Sequence, residues 1–78
     1  MATLVNRIML AIKGSAYVPT PLMDYHRAQA VKAALRRKDP LQRLSGVREA
    51  LNQYRVSAWL RSDDRIELVR DGKHVCWL

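Results

Sequence analysis

Asp71–Gly72 sits between two runs rich in apolar residues, 65–70 and 73–78. A two-residue hairpin loop needs positive φ at both central positions, and Asp-Gly tolerates this in a type I′ turn whose twist matches that of paired strands. The chain is therefore expected to close there as an antiparallel β-hairpin. Just upstream, Val47, Leu51 and Tyr54 recur at helical spacing within Gly46–Arg55. A helix that runs directly into a hairpin leaves few architectures open to 78 residues. The chain is one domain, residues 1–78, near the lower end of the sizes that fold alone.

The remaining pattern is helical. Over residues 3–13, Leu4, Ile8 and Ile12 recur at i, i+4 and i+8 with Val5 and Met9 beside them, and Gly14 is placed to end that helix. Pro19 and Pro21 bias the residues before them away from helix, so Ser15–Pro21 is expected to be extended, with room for a short strand at Tyr17 and Val18. A second helix starts with Thr20 as cap and Pro21 first, or with Asp24 as cap. It buries Ala28, Val31 and Leu35, turns Gln29, Lys32 and Arg36 outward, and ends in Arg36–Arg37–Lys38. Those cations complement the negative end of the helix dipole, an ordinary structural role. Asp39 as cap, Pro40 first and Gln42 in capping-box position open a third helix, with Leu44, Val47, Leu51 and Tyr54 on one face. Ser45–Gly46 is a possible interruption. Val56–Leu60 fits a strand or a continued helix.

The fold class is thus α+β: three N-terminal helices followed by a C-terminal antiparallel β-hairpin or three-stranded sheet, with strands expected at 56–60, 65–69 and 73–78. The ending Val75–Cys76–Trp77–Leu78 suggests an edge strand that dimerisation would cover.

Fourteen Lys and Arg stand against seven Asp and Glu, a net charge of +7. Residues 1–23 hold two cations and no carboxylate, residues 24–55 eight against three, and residues 56–78 four against four. The positive field belongs to the middle helices, which suits a polyanionic partner: a basic face releases counterions from a phosphate backbone. One cysteine, Cys76, excludes an internal disulfide and a cysteine-based metal cluster and fits a reducing, cytoplasmic setting. The longest charge-free stretch, Gly14–Met23, is short for a membrane span and holds two prolines, and no cleavage-site pattern follows the apolar start.

On a helix, Arg48, Asn52 and Arg55 line one stripe at i, i+4 and i+7, with Gln53 and Gln42 farther round. Arg can grip guanine O6 and N7, and Asn or Gln can grip adenine N6 and N7. Arg48, Asn52, Gln53 and Arg55 are therefore the candidate base readers. Arg36, Arg37, Lys38, Arg43, Arg70 and Lys73 are the candidate phosphate ligands. The bland counterpart is a solvated helix face and a hairpin whose charges guard an edge. Enzymatic chemistry finds little support. His74 and Cys76 alternate on one strand, so they should share a face, but no third group is spaced to orient a nucleophile or complete a metal site. No glycine-rich phosphate loop is present, so neither a cofactor nor a metal is expected. Trp59, Trp77 and Tyr25 are candidate interface anchors or the core that a Phe-free chain needs, the core being the favoured place for Trp59.

Asn52–Gln53–Tyr54–Arg55–Val56–Ser57–Ala58–Trp59–Leu60, followed by Ile66–Glu67–Leu68 and Asp71–Gly72, resembles the recognition helix and hairpin of small phage repressors of the Cro type. That resemblance covers about the last 35 residues and implies base-facing positions at Asn52, Gln53, Tyr54 and Ser57. Gly46 and Ala50 fit the small residues of its helix-turn-helix, whereas Glu49 stands where an apolar residue is usual. A similarity to winged-helix domains covers more of the chain: helix, short strand near Tyr17, helix, recognition helix ending near Arg55, then three strands. Both imply sequence-specific binding of double-stranded DNA by a small phage- or plasmid-type transcriptional regulator, as a homodimer. The alternative is a small basic module that grips and modulates another protein.

Overall fold

The computed structural model describes residues 3–13 and 21–78. Three helices, α1 (Leu4–Ile12), α2 (Pro21–Ala34) and α3 (Pro40–Ala50), precede a three-stranded antiparallel sheet of β1 (Ser57–Leu60), β2 (Ile66–Arg70) and β3 (Lys73–Trp77) in the order β1-β2-β3. This is the expected α+β architecture. The expected Thr20 cap, the stop at Gly14 and the strand at Tyr17–Val18 lie outside the described residues.

Thr3 caps α1 by accepting from the Asn6 amide, and Val5, Ile8, Ala11 and Ile12 form its buried stripe. Asp39 caps α3 by accepting from the Leu41 amide, with Pro40 first in the helix, where its missing N–H costs nothing. α3 runs through Ser45–Gly46 without interruption. Gly46 is required there by proximity: a Cβ on it would stand 2.7 Å from Ala34 Cβ and 2.9 Å from Arg37 Nη1. Fully buried Ile8, Ile12, Val31, Val47 and Leu68 join all three helices to the inner face of the sheet.

Two helices end earlier than their patterns suggest. α2 stops at Ala34, and the Arg36 and Arg37 amides bond to Ala33 O and Ala34 O in a tightening turn, so Arg36–Arg37–Lys38 forms the connection to α3. α3 stops at Ala50, with Leu51 in a non-helical conformation that still bonds to Val47 O. Leu51 and Tyr54 remain buried as expected, but from a turn rather than a longer helix.

The β2–β3 turn has Asp71 at φ 54° and Gly72 at φ 75°, the left-handed pair that the sequence demanded. The β1–β2 connection turns at Asp63 and Asp64, also with positive φ, a conformation that Asp tolerates. The ladder between β2 and β3 shifts register between Leu68 and Val69: Leu68 pairs with Cys76 and Val69 with His74, so Val75 is an extra, bulged residue. Because consecutive β2 residues face opposite ways, His74 and Cys76 do not share a face, contrary to simple alternation. Cys76 turns inward beside Leu68, where burial raises its thiol pKa despite the nearby Arg7, and His74 turns outward.

Candidate nucleic-acid interface

The expected base readers do not form a helical stripe. Arg48 is in the last turn of α3, Asn52 and Gln53 are in the turn beyond it, and Arg55 is in the bend before β1. All four are exposed and gather around the C-terminal end of α3. A recognition helix ending near Arg55, and one over Asn52–Leu60, are both excluded: Ser57–Leu60 is a strand and Tyr54 is buried. Tyr54 is turned inward instead of lying on a helix face, and its hydroxyl donates to Asp24 Oδ1 on α2 at 2.9 Å. Burial, then the bond to Asp24, pushes the Tyr54 phenol up to about 12.

Arg48 does not extend freely. Its Nε donates to Ala58 O on edge strand β1 at 2.9 Å, and its guanidinium lies 5.4 Å from the centre of the Trp59 ring. The contact satisfies an edge carbonyl and fixes the end of α3 against the sheet. A cleft results, in which Arg48, Asn52, Ser57 and Trp59 converge.

The six expected phosphate ligands divide in two. Arg37 Nη1 donates to Gln42 O at 3.1 Å, and Arg43 donates through Nε to Arg37 O and through Nη2 to Lys38 O. Arg70 Nη1 reaches back to Ala11 O and Lys13 O, at 3.4 and 3.2 Å, closing the C-terminal end of α1. Arg70 thus serves the negative end of α1 and Arg43 the carbonyls of the α2–α3 connection, while Arg37 adds a donor to a carbonyl in the first turn of α3. Arg36 and Lys38, in the α2–α3 connection, and Lys73, at the hairpin tip, are exposed.

The outer face of the sheet carries Trp59, which the sequence favoured for the core, and Trp77, a candidate interface anchor. Trp59 is 45% exposed and is not in the core; Trp77 is 36% exposed. Trp59 pairs with Glu67 across β1–β2, and Glu67 pairs with Trp77 across β2–β3, so the three side chains form one row. Arg61 and Arg48 lie over Trp59, and Arg65 lies 4.2 Å over the centre of the Trp77 ring. Glu67 accepts from His74 Nδ1 at 2.7 Å and from Arg61 Nε at 2.8 Å, and these two bonds, His74's first, hold its carboxyl below the usual range. The signal for Trp59 was present in the alternation of Ser57–Ala58–Trp59–Leu60, whose small and apolar members face inward. For Trp77 no such signal existed.

Among the described residues no three His, Cys, Asp or Glu side chains come together as a metal site. Nor is any helix among them long and apolar enough to cross a membrane. No known family model, curated protein or solved structure compared with the chain matches it.

Proposed function

We propose that the chain binds double-stranded DNA as a small transcriptional regulator of the phage or plasmid kind. One observation carries the reading. Of the three carboxylates between residues 24 and 55, Asp24 is buried against Tyr54, which leaves the α3 cap Asp39 and Glu49 as the exposed carboxylates among eight cations. The middle of the chain therefore presents a surplus of cations, as binding to a phosphate backbone requires.

In this reading Arg36, Lys38 and Lys73 hold phosphates, while Arg37, Arg43 and Arg70 add charge from fixed positions. Asn52, Gln53 and Arg55 read base edges from the end of α3, and Arg48 orients that end. The protein works in the cytoplasm as a homodimer, with β3, one of the two edge strands, as the dimer seam.

Labelled duplexes of varied sequence, titrated across a salt series, test the reading. Affinity should fall steeply with salt while one sequence remains preferred. Binding without sequence preference removes the regulator role. Absence of binding at low salt favours the protein-gripping module instead.

A further inference from the structure

The duplex reading leaves the outer face of the sheet without a use. Two indoles stand there in one row, separated by Glu67, in the neighbourhood of Arg48, Arg61, Arg65 and His74. Exposed indoles cost hydrophobic free energy that an isolated domain recovers only when something covers them. Cross-strand stabilisation accounts for one ring packed on one neighbour, but not for two part-exposed rings on the same side, each with a guanidinium over it that a stacked base would displace or join.

We infer that this face binds unpaired nucleotides, with Trp59 and Trp77 as stacking platforms and Arg48, Arg61 and Arg65 as the cations beside them. Charge complementarity selects the occupant. Three guanidiniums adjoin the rings, and the one carboxylate in the row, Glu67, is already bonded to Arg61 and His74. A base stacked on either indole thus places its phosphate beside positive charge. Spacing selects the single strand. The two tryptophans are two strand spacings apart, about 10 Å, whereas neighbouring stacked bases rise only about 3.4 Å. A duplex keeps its base faces stacked inside, whereas a splayed strand can offer a face to each ring.

Both tryptophans of the chain lie on this face, so tryptophan fluorescence, excited beyond the absorption of the three tyrosines, reports on it. The experiment titrates the full chain with oligothymidylate, oligouridylate and a blunt duplex, each about twelve nucleotides long, within the usual site sizes of single-strand binders. Either single strand should quench the fluorescence more strongly than the duplex does. A preference for oligouridylate identifies RNA as the occupant, and equal or opposite preference identifies single-stranded nucleic acid or DNA. Trp59→Leu and Trp77→Leu, shown to be folded by circular dichroism, should each weaken single-strand binding about fivefold to a hundredfold, and Trp→Phe should restore most of it. If a leucine variant unfolds, Arg65→Gln serves instead and should weaken single-strand binding while leaving the fold intact.

Equal quenching by duplex and single strand overturns the inference. So does unchanged affinity in the folded variants, or quenching only by an acidic peptide. The inference does not depend on duplex binding: Arg36→Ala and Lys38→Ala should weaken the labelled duplex yet leave quenching by single strands largely in place.

Discussion

Tyr54 and Asp24 are thirty residues apart in sequence, yet the Tyr54 hydroxyl donates to Asp24 Oδ1 at 2.9 Å inside the protein. The bond ties the turn after α3 to the first turns of α2 and fixes where Asn52, Gln53 and Arg55 emerge. Tyr54→Phe should lower the free energy of unfolding by about 1.5–3 kcal/mol, the range for a hydrogen bond to a charged group, because it leaves a buried carboxylate without this partner. Denaturant titration measures the loss. The phenol also has a pH signature. Its value is raised in the folded protein from 10.0 to about 12, so its stabilisation is complete below pH 10 and is lost as the pH rises toward 12. The wild-type denaturation midpoint should fall across that interval more steeply than that of Tyr54→Phe. Parallel curves would remove Tyr54 as the cause.

Gly46 and Ala34 define how closely α2 and α3 pack. In Gly46→Ala the new methyl meets the Ala34 Cβ, which is fixed to backbone, as well as the Arg37 guanidinium, which can swing away. Overpacking of this kind costs about 1–3 kcal/mol, against about 1 kcal/mol gained from helix propensity. The variant should be destabilised by about 1 kcal/mol or more in thermal or denaturant melts. Ala34→Gly in the same chain should recover part of the loss, since it removes the atom that is struck. A Gly46→Ala protein more stable than wild type would mean that the helices separate at little cost.

Glu67 holds the centre of the tryptophan row, and its carboxyl lies below the ordinary 4.5, first because of His74 and then because of Arg61. A carboxylate lowered by folding stabilises the protein above its ordinary range, and that contribution is lost as the pH falls through the lowered value. Wild type should therefore lose stability on acidification below about pH 4.5, and Glu67→Gln should lose less. Denaturant midpoints measured from pH 6 down to about pH 3 compare the two slopes. A wild-type slope identical to that of the variant would show that other carboxylates govern the acid limb.

The bulge at Val75 explains why the facing of the β3 residues was not legible in the sequence. Asp71–Gly72 fixes the first rungs, Arg70 with Lys73 and Val69 with His74. Strict alternation from there would pair Glu67 with Cys76 and send Trp77 to the inner face beside Ile66. The extra residue moves the register by one, so Trp77 meets Glu67 outside and Cys76 meets Leu68 inside. Nothing in Lys73–Trp77 announces that insertion. The end of α3 was hidden for a different reason. Leu51 and Tyr54 keep helical spacing and are buried, but the bond that holds Tyr54 to Asp24 joins residues far apart in sequence. By contrast, Asp39–Pro40 and Asp71–Gly72 act through local backbone chemistry, and each appears where the sequence places it. The cationic ligands were half legible: charge is visible in a sequence, but a guanidinium's carbonyl partner is not.

Arg43 and Lys38 separate those two kinds of cation. Arg43 donates to Arg37 O and Lys38 O, closing the connection between α2 and α3, whereas the Lys38 side chain is exposed. Arg43→Ala should cost about 1–2 kcal/mol of stability, since two hydrogen bonds of about 0.5–1.5 kcal/mol each are lost and part of that loss is made good by water. Lys38→Ala should stay within about 0.5 kcal/mol of wild type, as exposed substitutions usually do. On duplex DNA the effects reverse in kind. Lys38→Ala should reduce the magnitude of the slope of log affinity against log salt by about 0.9, the value of one lost phosphate contact, with every sequence weakened alike. Arg43→Ala, measured below its unfolding transition, should change that slope less. Denaturant melts and a salt-dependent anisotropy titration on the same two variants check both halves. A Lys38→Ala protein with an unaltered salt slope would remove the α2–α3 connection from the duplex-binding surface.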